Sequence, residues 1–84
     1  MTTTNDWPAM AAGIEALEWI VANRTARRLR WEGEAPILVD LQTAAVMLDV
    51  RGRLLPTNRR LMDERIALGA GYFLRMADFA WRHA

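Results

Sequence analysis

The sequence predicts a mainly α-helical domain, a small bundle of three to four helices with one short β-hairpin around residues 28–39. Three observations support this prediction. Apolar residues recur at helical spacing, residues that begin or end helices stand between these stretches, and one short alternating stretch surrounds a turn that contains Gly. The chain has 84 residues, the size of one domain. We therefore expect a single helical domain over residues 6–84, preceded by a flexible N-terminus at residues 1–5.

The first predicted helix lies near the N-terminus. Asn5 or Asp6 can cap a helix whose first turn includes Pro8, where a missing N–H costs nothing. Apolar residues then follow the spacing of one helical face: Met10, Ile14, Leu17 and Val21. The pattern predicts a helix that ends near Asn23.

Residues 24–40 have a different pattern. Leu29 and Trp31 alternate with arginines, and a β-favouring run at residues 37–39 follows a turn that contains Gly. Two short runs around such a turn favour a hairpin. The alternative is a longer helix, because Arg24, Arg27 and Arg28 would share one helical face.

Three further helices are predicted after the hairpin. Asp40 can cap a second helix that Pro56 ends, and Thr57 or Asn58 can cap a third helix through Leu68. The "GAG" of residues 69–71 then breaks the chain before a last helix over residues 72–83. The residues of this last helix expected to face inward are Phe73, Met76, Ala77, Ala80 and Trp81. We expect Leu17, Leu48 and Phe73 in the core.

The composition argues against most catalytic chemistry. The chain contains no serine, cysteine or lysine, so serine and cysteine nucleophiles and Schiff-base amines are missing. Its only histidine, His83, is next to the last residue, and zinc-ligand spacing is absent. The acidic pairs Glu15/Glu18 and Asp63/Glu64 are typical of solvated helix faces. We therefore expect a non-enzymatic protein with no metal and no cofactor.

Composition also bears on partners and location. The net charge is only +1, so bulk charge predicts no partner, and no apolar run reaches the ~20 residues of a membrane span. The N-terminus lacks the pattern of a signal peptide, so a cytoplasmic protein is expected. Because the apolar fraction of 52% exceeds what one small core hides, we expect a homodimer.

The stretch "RTARRLRW", residues 24–31, combines four arginines with a tryptophan. Both residue types are enriched at protein interfaces. The negative charges of Glu32 and Glu34 also weaken the positive potential that would attract a phosphate group. The candidate partner-binding residues are Arg24, Arg27, Arg28, Arg30 and Trp31. The stretch thus predicts a site for an unidentified protein. The alternative is a solvated hairpin edge with Trp31 in the protein's own core.

A second motif favours nucleic acid. Residues 43–60 have small residues followed by a turn and arginines, the order found in a helix-turn-helix. The candidate DNA-binding residues are Arg51, Arg53, Arg59 and Arg60. Asp49 stands where the turn usually has Gly, and Pro56 would interrupt the second helix. A DNA-binding accessory protein or regulator is therefore the alternative function, and an interaction module is the first.

A resemblance adds context. The segments "VDLQTAAVMLDV", "NRRLMDERIAL" and "MADFAW" resemble short uncharacterised proteins encoded by phages and prophages of GC-rich bacteria, over roughly residues 38–82. The resemblance implies a small accessory protein of a mobile element that binds a host or viral protein. One specific form would be an inhibitor that docks on a host defence complex. The resemblance implies no site residue.

Overall fold

The computed structural model describes residues 7–84 and confirms the mainly α-helical class with a small sheet. The strands are β1 (Met10–Ala11), β2 (Arg27–Arg30) and β3 (Ile37–Val39). The helices are α1 (Ile14–Asn23), α2 (Leu41–Arg53), α3 (Pro56–Leu68) and α4 (Ala70–Arg82). Helix α4 packs on both α2 and α3, and α1 packs on α2.

The first helix begins later than the sequence predicts. Residues 7–9, which we call the N-terminal strap, are outside any helix, and β1 follows them. Helix α1 starts only after Gly13, whose φ of +157° is a conformation that favours glycine. The predicted helix start with Pro8 in its first turn is therefore wrong, and the predicted caps Asn5 and Asp6 lie outside the described residues. The helix ends at Asn23, as predicted.

The sheet confirms the hairpin and rejects the longer helix. Strands β2 and β3 are antiparallel, with Arg28 opposite Leu38, and Gly33 adopts a positive φ of +77° between them. Strand β1 adds to β2 in parallel, which the sequence did not predict, so the strand order is β1-β2-β3. Because side chains alternate along a strand, Leu29 and Val39 share the core face, whereas Leu38 lies on the opposite face.

Helices α2 and α3 differ in how their N-termini are capped. Asp40 caps α2 as predicted, since its Oδ1 accepts a hydrogen bond of 2.8 Å from the Thr43 N–H. Helix α3 has no side-chain cap and starts with Pro56, which has no N–H to satisfy. The predicted caps Thr57 and Asn58 are wrong, because both lie inside the first turn of α3.

Helix α4 receives its cap from the hairpin. The break predicted at "GAG" is confined to Gly69, and the helix begins at Ala70, two residues before the predicted start. The carboxylate of Glu34 accepts a hydrogen bond of 3.0 Å from the Ala70 N–H. A negative charge at a helix N-terminus is favourable, so this contact fixes α4 against the β2–β3 turn.

The core is formed by all four helices and the sheet. Its largest fully buried side chains are Phe73, Leu17, Ile20, Leu29, Met47 and Ile66. The prediction is confirmed for Leu17 and Phe73 and wrong for Leu48, which is half-buried. Helix α2 instead turns Met47 and Val50 inward. In α4 the predicted inward position of Trp81 is also wrong, because this indole is 49% exposed.

Candidate functional site

The arginines of "RTARRLRW" hold the N-terminal strap. Arg28 Nη2 donates to the Trp7 carbonyl at 2.7 Å, and Arg27 Nη2 donates to the Pro8 carbonyl at 3.1 Å. Arg30 Nε donates to the next carbonyl, that of Ala9, at 3.2 Å. Three successive main-chain carbonyls are thus bound by three side chains of β2, which keeps the strap extended and explains why no helix forms there.

Arg27 also joins two tryptophans. Its guanidinium lies 4.4 Å from the ring centroid of Trp19 and 5.2 Å from that of Trp7. The two indoles meet edge to face, with 5.2 Å between their centroids. A cation over aromatic faces is stabilising, and this cluster fastens the strap to α1 as well as to β2.

Trp31, the predicted anchor of the interface, lies in the core. It is 5% exposed, and its Nε1–H donates to the Ile66 carbonyl at 2.9 Å. Its ring packs on Phe73, with 5.3 Å between the centroids. This position corrects the expectation of an exposed Trp31 and agrees with the alternative of a tryptophan in its own core. Arg24 and Arg30 are exposed. Partner binding by Arg24, Arg27, Arg28 and Arg30 stays a prediction.

Most of the candidate DNA-binding arginines contact the protein itself. Arg51 forms a two-point ion pair with Asp63, at 2.6 Å and 2.8 Å, and this hydrogen bonding raises the pKa of Arg51 above its usual value. Arg53 donates to Asp49 and to the His83 carbonyl.

Arg59 and Arg60 complete this candidate set. Arg59 donates to three main-chain carbonyls around the α2–α3 turn, and Arg60 is exposed. One of the two sequence-based objections falls away, because Pro56 begins α3 rather than interrupting it. The objection at Asp49 stays, since this residue lies inside α2 and not in a turn. DNA binding by these residues stays a prediction.

The titratable groups are dispersed. Glu15, Glu18 and Glu64 are exposed, and Asp63 is bound to Arg51. His83 is exposed at the end of α4, with its ring 4.4 Å from that of Phe79. Within residues 7–84, no three acidic, cysteine or histidine side chains are placed to hold one metal ion. In the same part of the chain, no helix has the length and apolarity needed to cross a bilayer.

An apolar groove between β3 and α4 is the most distinctive surface feature. Leu38 and Leu74 are each 53% exposed, and Trp81, which also lines the groove, is 49% exposed. The cavity volume is about 330 Å³. We call it the β3–α4 groove, and its lining residues are Ile37, Leu38, Val39, Asp40, Thr43, Phe73, Leu74, Ala77 and Trp81.

Asp40 is the charged residue of this lining. Its hydrogen bond from Thr43 holds the pKa of its carboxyl below the usual value of 3.8, so the group is ionised at neutral pH. The groove lining is therefore mostly apolar and carries one negative charge. Sequence reasoning missed this site, although Leu74, Ala77 and Trp81 at spacings of three and four were a second apolar stripe on α4.

A second groove lies between α3 and α4. It has a volume of about 280 Å³, and its lining residues are Leu54, Asn58, Leu61, Met62, Arg65, Met76 and Phe79. Leu61 is 42% exposed, so this surface is also partly apolar. We call it the α3–α4 groove and use it below as the reference surface.

Comparisons with known proteins give no assignment. No family model matches the chain, and neither the curated proteins nor the solved structures contain a significant match. The resemblance of residues 38–82 to phage and prophage proteins therefore stays a prediction.

Proposed function

We propose that the protein is a small non-enzymatic protein–protein interaction module that forms a homodimer through the β3–α4 groove. The observation that carries the proposal is the joint exposure of Leu38, Leu74 and Trp81 around one concave surface. Contiguous apolar surface of this kind marks interaction sites on soluble domains. Tryptophan is also among the residues that contribute most to binding energy at interfaces.

The distribution of charge supports the groove over the arginine-rich stretch. The centres of interfaces are depleted in charged residues, and only Asp40 among the groove-lining residues is charged. Arg27, Arg28 and Arg30, in contrast, already donate to the strap carbonyls. A partner that used these arginines would have to compete with the protein's own main chain.

The non-enzymatic part of the proposal rests on the chain itself. Serine, cysteine and lysine are absent from the sequence, which leaves carboxylates, Tyr72 and His83 as groups for proton transfer. The candidate pairs are either exposed, as Glu15 and Glu18 are, or bound to an arginine, as Asp63 is.

Light scattering behind a sizing column tests the homodimer. At about 100 μM protein, we expect a mass close to twice the 9.6 kDa of the chain. Leu74→Asp should reduce the mass to that of the monomer, because it places a charge in the groove. Leu61→Asp is the matched control, since it changes an exposed helical leucine in the α3–α4 groove and should leave the dimer intact.

Two results would contradict the proposal. A parent protein that stays monomeric at this concentration would reject the homodimer. A dimer that dissociates in Leu61→Asp and persists in Leu74→Asp would move the interface to the α3–α4 groove. Circular dichroism of each variant confirms that the helices are retained.

A narrower proposal rests on the resemblance of residues 38–82 alone. We propose that the protein is an accessory protein of a phage or prophage and inhibits a host defence complex. Bacterial strains that each carry one defence system, with and without the expressed protein, provide the test. Restored phage growth in one strain supports the inhibitor, and unchanged resistance in every strain counts against it.

A further inference from the structure

Strand β3 is an edge strand with an apolar sequence. The strand order is β1-β2-β3, so β3 has a neighbour on one side only among the described residues. Its three residues, Ile37–Val39, all line the β3–α4 groove, so the strand borders that groove along its whole length. Edge strands are usually protected by short length, charges, proline or a covering element. Strand β3 is short and lies between Pro36 and Asp40, but its own three residues carry neither charge nor proline, and Leu38 is exposed.

We propose that the β3 strands of two copies pair antiparallel about a two-fold axis through Leu38, which joins the two sheets into one of six strands. This inference rests on the proposed homodimer and specifies how it forms. Strand addition at an exposed edge is a common mode of protein recognition, because main-chain hydrogen bonds supply affinity and side-chain pockets supply specificity. A second copy suits β3, because its three residues are all apolar and can pair with one another without bringing like charges together.

The charges next to β3 select the register. In a two-fold antiparallel pair, one residue must lie opposite its own copy. Pairing centred on Ile37 would place Asp40 opposite Glu34, two like charges. Pairing centred on Val39 would place Asp40 opposite the apolar Leu38.

Pairing centred on Leu38 avoids both problems. It places Ile37 opposite Val39 and Asp40 opposite Pro36, so no like charges meet, and all three residues of β3 pair with residues of the other β3. The ionised carboxylate of Asp40 then lies at the end of the strand pair, where water can reach it.

The interface must extend beyond the strands. A specific interface buries about 800 Å² on each partner, roughly a seventh of the 5502 Å² that the protein exposes. Three residues of β3 cannot supply this area, so α4 has to contribute. Leu74 and Trp81 are seven residues apart, about 10.5 Å along the helix axis, and both border the groove. They are the side chains expected to cover the joined strands.

A single-cysteine variant tests the register directly, because the parent chain has no cysteine. Across an antiparallel pair, opposite Cα atoms are about 4.5–5.5 Å apart, which suits a disulfide. We therefore expect Leu38→Cys to form a disulfide-linked dimer rapidly and almost completely under mild oxidation. Leu61→Cys, a control in the α3–α4 groove at a leucine that is 42% exposed against 53% for Leu38, should remain largely unlinked.

Charge variants at the same position give an independent test. Leu38→Lys and Leu38→Glu should each be monomeric, since the axis places each charge opposite its copy. An equimolar mixture should recover a dimer of one Lys chain and one Glu chain. Light scattering measures the masses, and native mass spectrometry identifies the mixed pair. The side chain of Leu38 is half exposed, so the fold tolerates both changes.

The outcomes separate this inference from the proposed function. A parent that is monomeric rejects the homodimer and the strand pairing together. A dimeric parent whose Leu38→Lys variant stays dimeric, or whose Leu38→Cys variant links no faster than Leu61→Cys, overturns the strand pairing and leaves the interaction module in place. Rapid linkage together with recovery in the mixture supports the strand pairing.

Discussion

The two edges of the sheet, at β1 and at β3, differ in whether the residues that are conspicuous in the sequence are free to bind a partner. At the β1 end, the conspicuous arginines and tryptophans bind one another and the strap carbonyls. At the β3 end, a short Ile-Leu-Val strand and a helix leave Leu38, Leu74 and Trp81 exposed. The comparison teaches that a residue type suited to binding does not indicate whether its partner lies within the same chain.

The largest expected contrast is in the free energy of unfolding, between substitution of the buried Trp31 and of the exposed Trp81. Trp31→Ala should lower the free energy of unfolding by about 3–5 kcal/mol, because it removes a buried ring and leaves the Ile66 carbonyl without its donor. A domain of this size has about 5 kcal/mol in total, so the variant should be close to unfolding at 25 °C. Urea titration followed by circular dichroism measures the loss.

Trp81→Ala is the matched control for that prediction. Its indole is half exposed, so we expect a small change in the stability of the monomer and a clear loss of dimer. Both variants are compared at one protein concentration, since dissociation contributes to apparent stability. Equal losses of unfolding free energy in the two variants would break the contrast between core and groove.

The next largest loss of stability is expected when the Arg27 guanidinium, which contacts the indoles of Trp7 and Trp19, is removed. Arg27→Met keeps an aliphatic chain of similar length but removes the guanidinium that contacts Trp7, Trp19 and the Pro8 carbonyl. We expect a loss of about 2 kcal/mol in the free energy of unfolding. The tryptophan emission should also shift to longer wavelength as the strap is released.

Arg60→Met controls for the loss of one positive charge. Arg60 is exposed on α3, and methionine has nearly the same helix propensity as arginine, so the change should stay within about 0.5 kcal/mol. If Arg27→Met were as mild as Arg60→Met, the strap would not depend on Arg27.

Asp40, which follows β3 and caps α2, should contribute a smaller and pH-dependent part of the free energy of unfolding. Asp40→Ala should cost about 1 kcal/mol at pH 7, because the Thr43 N–H loses its acceptor. The folded-state pKa of Asp40 is lowered by this hydrogen bond, so its stabilisation is present above the usual value of 3.8 and is lost as the pH falls through the folded value.

The substitution Asp40→Asn would keep a side-chain acceptor at this position but remove the charge. We therefore expect the stability difference between the parent and Asp40→Asn to diminish below about pH 3.8, whereas Asp40→Ala stays less stable than Asp40→Asn throughout. Urea titrations at several pH values measure both differences. A difference between the parent and Asp40→Asn that grew on acidification would contradict this account of the cap.

Local signals predicted the parts of the fold that depend on neighbours in sequence. The Asp40 cap, the hairpin and the break at Gly69 follow from turn and cap chemistry within a few residues. Strand β1 does not, because the strap is held by arginines 19–21 residues further along the chain. Met10 matched the helical spacing by coincidence, since its actual partner across the sheet is Leu29.

The candidate site could not be predicted for a related reason. The sequence showed that the last helix is apolar on nearly every side, and this pattern cannot decide which stripe meets the core. The structure turns Phe73 and Ala80 inward and leaves Leu74 and Trp81 outside. Which stripe is exposed depends on where β3 and α3 lie, and that is a tertiary property.

The smallest expected effect concerns nucleic acid, where the prediction is no effect at all. Useful affinity for phosphates requires several accessible cations, and it falls steeply as salt is added. The β2 arginines bind the strap, Arg51 is paired with Asp63, and Arg59 donates to carbonyls of the α2–α3 turn. We therefore expect no shift of duplex DNA by the parent at about 100 mM salt.

A shift that weakened with salt and disappeared in an Arg27, Arg28 and Arg30 triple glutamine variant would show that the β2 arginines leave the strap to bind phosphate. The same shift, lost instead in Arg60→Gln, would favour the α2–α3 turn as a DNA-binding element.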